Sequence, residues 1–181
     1  MYDSLHFQSA IDRPDLISSS IANLLHHWQG STPVEEILVA EIDPAFAGGS
    51  DFCRRYNVPT TEGANCVIVE STRGDVSTIA ACLALVDYRI DFNGIVRKTL
   101  NGRRVSLAPL DKVLKETSME YGSVTPVGLP FGWPILIDER ILSIPRIIVG
   151  AGLVHAKLSL PGKALLELPG AKIINSLAIS T

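Results

Sequence analysis

The stretch CVIVESTRGDVSTIAACLALV, residues 66–86, decides the fold. CVIVE (66–70) and IAACLALV (79–86) are short apolar runs rich in strand-forming residues, and the intervening STRGDV is made of residues that bend a chain. The pattern predicts two adjacent, mostly buried strands. Upstream, EEILVAEI (35–42) reads as another strand, AFAGGS (45–50) as a loop, and residues 51–57 as a short helix that Pro59 ends. Downstream, IDFNGIVRKTL suggests a short helix, RRVSLA a strand, and PLDKVLKETS a helix with Pro109 near its start. PILID (134–138), RIIVG (146–150) and HAKLSL (155–160) complete the strands, the last two joined as a hairpin, with a short helix KALLEL and a polar tail after them. Some strands alternate with helices and others follow one another through hairpins. That implies a mixed sheet carrying packed helices, an α+β (mixed α/β) fold.

The chain's 181 residues suit one core. The expected organisation is a single domain: an N-terminal helical segment over 1–31, a core over 32–171 and a tail over 172–181. In the first part Leu16, Ile17, Ile21, Leu24, Leu25 and Trp28 recur at helical spacing, so the helix is expected over 12–28. With 46% hydrophobic and 19% charged residues the composition is that of a folded protein. No run approaches the roughly 20 apolar residues that cross a bilayer, and the N-terminus lacks the apolar segment of a secretory signal. A cytoplasmic protein without a membrane partner is expected. The net charge of −3 argues against a DNA-coating protein, although four basic residues between Arg97 and Arg104 form a local patch.

Signatures of catalysis are few. There is no GxSxG elbow, P-loop, dinucleotide fingerprint or HExxH. His26 and His27 are adjacent, so a helix turns them apart, and no metal or cofactor is expected. Cys66 and Cys82 fall in apolar strands and read as core thiols. Cys53, beside Arg54 and Arg55, is a weaker candidate for a reactive thiolate. The informative features are two turns. Gly122-Ser123-Val124-Thr125-Pro126 brackets three residues between Gly and Pro and can present consecutive backbone N–H groups to an anion or carbonyl. A plain surface turn explains the same residues, and Gly150-Ala151-Gly152 has the same two readings.

The order of these pieces resembles the YbaK family, the free-standing relatives of the editing domain of prolyl-tRNA synthetase. The segments that carry the likeness are ANCVIVE (64–70), the run from 81 to 100, RRVSLAPLDKVLKETSMEYGSVTPVGLP (103–130), PILIDERIL (134–142) and IIVGAGLVHAKLSLPGKALLEL (147–168). The match spans about Thr32 to Ala171 and is strongest from Ala81 onward.

The resemblance implies a deacylase that cleaves the ester between a wrong amino acid and the 3′ end of tRNA, in trans, with the aminoacyl-tRNA end and a synthetase as partners. Gly122 and the amides of Ser123, Val124 and Thr125 would then hold the carbonyl or the attacking water, with Pro126 fixing the bend. One position departs from the family. The lysine expected at the head of the second strand is Asn65, which donates a hydrogen bond but cannot neutralise a phosphate. Arg73, Lys98, Arg103, Arg104 and Lys157 are the candidate substitutes, each also readable as a solvated surface charge. His155, Gly150, Gly152, Asp138, Lys98 and Arg104 complete the expected substrate-binding set. His155 reads equally as a histidine at a pocket rim, and Asp138 as a turn cap. Two alternatives stay open: a catalytically weak or inactive module that binds a tRNA end or small ligand, and a hydrolase of another activated ester.

Overall fold

A computed structural model describes residues 4–180. Met1–Asp3 and Thr181, the extreme ends of the expected single domain, lie outside the described residues. The chain begins with β1 (Gln8–Ser9), α1 (Ser19–His26), β2 (Leu38–Glu41) and α2 (Gly49–Arg55). The central hairpin follows as β3 (Ala64–Arg73) and β4 (Val76–Leu85), then β5 (Tyr88–Ile90). A π-turn (Phe92–Val96) runs into the short α3 (Arg97–Thr99), followed by β6 (Arg104–Leu107) and α4 (Leu110–Thr117). The last strands are β7 (Ile135–Asp138), β8 (Ile147–Gly150), β9 (Ala156–Leu160), β10 (Ala171–Ile174) and β11 (Ala178–Ser180).

β3 and β4 are the antiparallel pair expected from residues 66–86, extended to ten residues each. Gly74, at φ +59°, takes the first central position of their two-residue turn, where a type II′ geometry favours glycine. This pair sits inside a five-stranded sheet of order β10-β7-β4-β3-β6, in which β7 runs parallel to both β4 and β10. A second, antiparallel sheet has the order β1-β2-β9-β8, and β5 pairs with β11. Mixed sheets with helices are thus the architecture, α+β as expected.

The main core lies between the two larger sheets, where Ile68, Leu83, Ile135 and Ile137 meet Val39, Ile147, Val149 and Leu158. A second cluster covers the opposite face of the five-stranded sheet. There Val69, Ala80, Cys82 and Leu136 pack under Val96 and Leu177. Burying these alternating faces supplies the main driving force, since apolar area removed from water is worth about 25 cal/mol per Å².

The helix expected over 12–28 is shorter. Pro14–Leu16 form a separate 3-10 turn, Ile17 and Ser18 are extended, and α1 starts at Ser19. Leu16 and Ile17 are buried before the helix begins, so the apolar spacing spans two elements rather than one. KALLEL forms a 3-10 turn within Gly162–Glu167. The polar end expected as a tail instead supplies β10 and β11, whose short sequences carry too little apolar pattern to announce strands. No helix among the described residues is long and apolar enough to cross a membrane.

Candidate active site

A cavity of about 510 Å³ opens where the edge of β3 faces the β8–β9 hairpin. Its wall includes Asn65 and Cys66 from β3, Gly122 and Val124 from the loop after α4, Gly150 from β8 and Lys157 from β9. Gly48 and Gly49 close one side, and Leu107, Leu110 and Val113 give it an apolar flank. Residues far apart in sequence therefore converge because β3 and β9 belong to facing sheets.

The loop at 122–126 is held from below. Ser123 is buried, its Oγ donates to the carbonyl of Leu153 at 2.7 Å, and its own carbonyl accepts from the amide of Gly152 at 3.0 Å. Its amide donates to the carbonyl of Glu120 at 3.1 Å, so it is not available to a ligand. The amides of Gly122, Val124 and Thr125 make no hydrogen bond among the described residues. Gly122 adopts φ +84°, a conformation glycine takes without steric cost. The cradle expected from five residues thus reaches the cavity through Gly122 and Val124. Ser123, Thr125 and Pro126 stand behind it, with the Thr125 hydroxyl buried and without a partner among the described residues.

Among the described residues, Lys157 is the cation of this cavity's wall. Its side chain is 7% exposed, its Nζ donates to the carbonyl of Ala47 at 2.8 Å, and it lies 5.3 Å from the centre of the Phe52 ring. Burial lowers its pKa to about 8, because a charged amine loses hydration there. Asn65, exposed at the head of β3, lies against Gly49: a β-carbon on that glycine would fall 3.1 Å from the Asn65 side-chain carbon. Sequence singled out both residues but could not place them together. Their meeting depends on how the sheet that holds β3 faces the sheet that holds β9, which lies outside any local pattern.

The other expected residues divide differently. Gly150 borders the cavity, whereas Gly152 (φ +77°) serves the hairpin turn and lies against Ser18. His155 is half-buried outside the cavity wall, with Nε2 3.4 Å from the carbonyl of Asp15. Asp138 is a structural hub: buried, it accepts from the amides of Arg140 and Ala178 and pairs with the Arg140 guanidinium at 2.9 Å. That is the turn-capping role, extended to hold β11. Lys98 lies beside Arg73, Arg97, Asn101 and Gly102 around a separate hollow, and Arg104 pairs with Thr72, next to Arg73 at the far end of β3. Neither reaches the cavity.

The thiols carry no activated nucleophile. Burial pushes Cys53 up despite its arginine neighbours, and it pushes Cys82 to about 12. Cys66, which borders the cavity, is driven higher still, first by burial and then by the neighbouring Cys82. No cluster of three or more His, Cys, Asp or Glu suited to a metal occurs among the described residues. The residues sequence reading left unassigned are Ala47, whose carbonyl anchors Lys157, and the apolar flank Leu107, Leu110 and Val113. The unusually exposed apolar side chains of Leu107 and Leu110 could have signalled that flank only once their placement was known.

A family model described as an aminoacyl-tRNA editing domain matches residues 43–168, a span that contains the whole cavity wall. No curated protein gives a significant match. Among solved structures, a candidate trans-editing enzyme for prolyl tRNA synthetase is 19% identical with a TM-score of 0.71, covering 88% of this chain and 97% of that one. A scaffold protein used for computational epitope grafting is 19% identical with a TM-score of 0.72, covering 87% and 95%. A hypothetical protein is 21% identical with a TM-score of 0.69, covering 79% and 91%. At these identities the likeness concerns the fold.

Proposed function

Because the chain belongs to the aminoacyl-tRNA editing domain family, we propose that it removes a wrongly attached amino acid from the 3′ end of tRNA in trans. The observation that carries this reading is the convergence of the 122–126 loop, Asn65 and Lys157 on one apolar-flanked cavity inside the matched region. Editing is needed where a synthetase pocket faces small apolar differences, each worth only about 1–3 kcal/mol in binding.

In the reaction, the oxygen of a water molecule attacks the ester carbonyl carbon. The tetrahedral intermediate collapses with cleavage of the bond to the ribose oxygen, which takes up a proton. Free amino acid and tRNA with a restored hydroxyl leave. The open amides of Gly122 and Val124 are suited to the oxygen on which negative charge develops, and donors fixed in advance stabilise it without reorganisation. Lys157 supplies, from β9, the positive charge that the head of β3 lacks. Asn65 is left as a neutral donor and acceptor at the rim. Lys157 acts as the charged group in this reading, and the wall holds no carboxylate or histidine among the described residues. The proton of the attacking water therefore passes to the departing ribose oxygen, relayed by the neighbouring ribose hydroxyl or a second water.

Lys98 and Arg104 act elsewhere in this reading. With Arg73, Arg97 and Arg103 they form an exposed basic corner. None of the five has an ion-pair partner among the described residues. The corner meets tRNA phosphates away from the ester. A cytoplasmic setting and a synthetase partner accord with this activity.

The test is release of amino acid from tRNAs charged with Ala, Ser, Cys, Pro or Thr, with Gly122→Val as the control that forces a side chain onto φ +84°. Hydrolysis of one pair, lost in the control, supports the reading. Retained tRNA binding with no hydrolysis of any pair overturns it in favour of a binding module.

A further inference from the structure

Beside the cavity lies a second one of about 520 Å³, and the two share Asn65, Val67 and Leu107 as a common wall. The rest of the second cavity is chemically different. It presents Tyr88 and Phe92 together with the polar side chains of Arg89 and Asn93. We propose that this second cavity binds the adenine base of the terminal nucleotide whose aminoacyl ester occupies the first. The proposal rests on the editing reading of the first cavity and adds the part of the substrate that reading leaves unplaced.

An aminoacyl-adenosine has two dissimilar halves joined at the ribose: a small side chain, and a flat aromatic base with a hydrogen-bonding edge. Two contiguous cavities with one shared rim match that shape, whereas a free amino acid or a simple ester needs only the first. Aromatic side chains are the usual platform for an unpaired base, because every base has a π-face to stack. Asn93 is exposed, and neither it nor Arg89 has a hydrogen-bond partner among the described residues, so both remain available to a base edge. Asn65, at the junction, can donate to and accept from a ribose hydroxyl.

The local fold holds these groups in place. The Asp91 carboxylate accepts from the amides of Gly94 at 2.9 Å and Ile95 at 3.1 Å, which fixes the π-turn that carries Phe92 and Asn93. Asp91 is thereby committed to the backbone. The Arg140 guanidinium lies 4.6 Å from the centre of the Tyr88 ring and is itself held by Asp138. Tyr88 is therefore anchored from the structural hub at the end of β7.

The experiment is a titration of the full chain with adenosine 5′-monophosphate and, separately, uridine 5′-monophosphate, followed by amide chemical shifts. Adenosine monophosphate is expected to shift the resonances of Tyr88, Phe92 and Asn93 and to bind more tightly than the uridine nucleotide. Phe92→Leu, which keeps an apolar side chain and removes the ring, is expected to weaken it about tenfold, as is loss of a stacking partner in general. Asn93→Ala, a change at an exposed side chain, checks the same site without risk to the core. With charged tRNA, Phe92→Leu should raise KM and leave kcat near wild type, while hydrolysis of an amino-acid ethyl ester, which has no base, stays unchanged. Equal binding of adenosine monophosphate to wild type and both variants, or shifts confined to the first cavity, overturns the proposal. If adenosine monophosphate binds at Phe92 but no charged tRNA is hydrolysed, the nucleotide site stands and the editing reading fails.

Discussion

The carbonyl of Ser123 lies directly over Gly150, so closely that a β-carbon at position 150 would fall 2.9 Å from the Ser123 carbonyl carbon and 3.1 Å from the Val124 oxygen. Both neighbours are backbone, and the same Ser123 carbonyl is already held by the amide of Gly152. The loop therefore owes its height above β8 to the missing side chain. Gly150→Ala should push the 122–126 loop away from the cavity. Overpacking of this kind costs about 1–3 kcal/mol of stability. Deacylation should fall at least about tenfold, as expected when a positioned oxyanion donor is displaced. Denaturant unfolding together with kcat/KM checks both arms.

Lys157 predicts a pH dependence. Its folded-state pKa is lowered to about 8 by burial, against an ordinary value of 10.5, so the folded chain releases this proton first. If the charged amine serves the reaction, enzymatic deacylation above the spontaneous rate should fall as pH rises through about 8. Lys157→Arg should remove that fall, because an arginine does not titrate there. Stability moves the other way: between about 8 and 10.5 the unfolded chain binds more protons, so this residue's contribution to stability rises with pH. Lys157→Met should flatten that rise, read as the melting temperature across the same range.

Asn65 and Lys157 show why the site was only half legible. The family resemblance implies a lysine at the head of β3, where this chain has Asn65, and leaves five cations as replacements, but strand order alone decides which of them reaches the cavity. Arg73 stands at the opposite end of the same strand, eight residues from Asn65, or about 27 Å at the rise of an extended chain. Lys157 reaches the cavity because β9 is central in the facing sheet. Local structure, by contrast, is readable from the chain: the β3–β4 hairpin with Gly74 in its turn, and Asp138 as the cap of the turn after β7. Apolar spacing predicts one helix over 12–28 because it does not register the extended pair Ile17 and Ser18 that separates the 3-10 turn from α1.

Restoring a lysine at position 65 becomes a sharper test once Lys157 is known to line the same cavity. In the wild type, Asn65→Lys puts two cations into one cavity and should leave deacylation unchanged or reduced, since each disfavours the charged form of the other. In a Lys157→Met background the same change should recover a substantial part of the lost rate. Failure of the double variant to exceed Lys157→Met alone would show that position 65 cannot carry the charge.

Asp138 separates structure from catalysis. Its carboxylate accepts from the Arg140 amide, the Arg140 guanidinium and the Ala178 amide, linking β7 to β11. Asp138→Ala leaves the buried Ala178 amide without its acceptor and the part-exposed Arg140 guanidinium unpaired, and should cost about 1–3 kcal/mol. Below the unfolding transition, the kcat of the surviving folded protein should stay near wild type. A large loss of kcat at full folding, measured under conditions where circular dichroism shows the native signal, would assign Asp138 to the reaction.

The basic corner tests whether the chain grips tRNA away from the ester. Arg73, Arg97, Lys98, Arg103 and Arg104 are all exposed, and they gather at the end of β3 remote from the cavity on a chain whose net charge is −3. Surface cations without ion-pair partners neutralise phosphates by releasing counterions, so their contribution is read as salt dependence rather than affinity at one condition. Arg97→Glu with Lys98→Glu should weaken binding of charged tRNA and flatten the slope of log affinity against log salt by about one or two counterions. Hydrolysis of an aminoacyl ester on a short 3′ oligonucleotide, too small to span the distance, should be unaffected. If both substrates lose activity equally, the corner acts through folding or through the cavity itself. If neither loses any, tRNA approaches by another face.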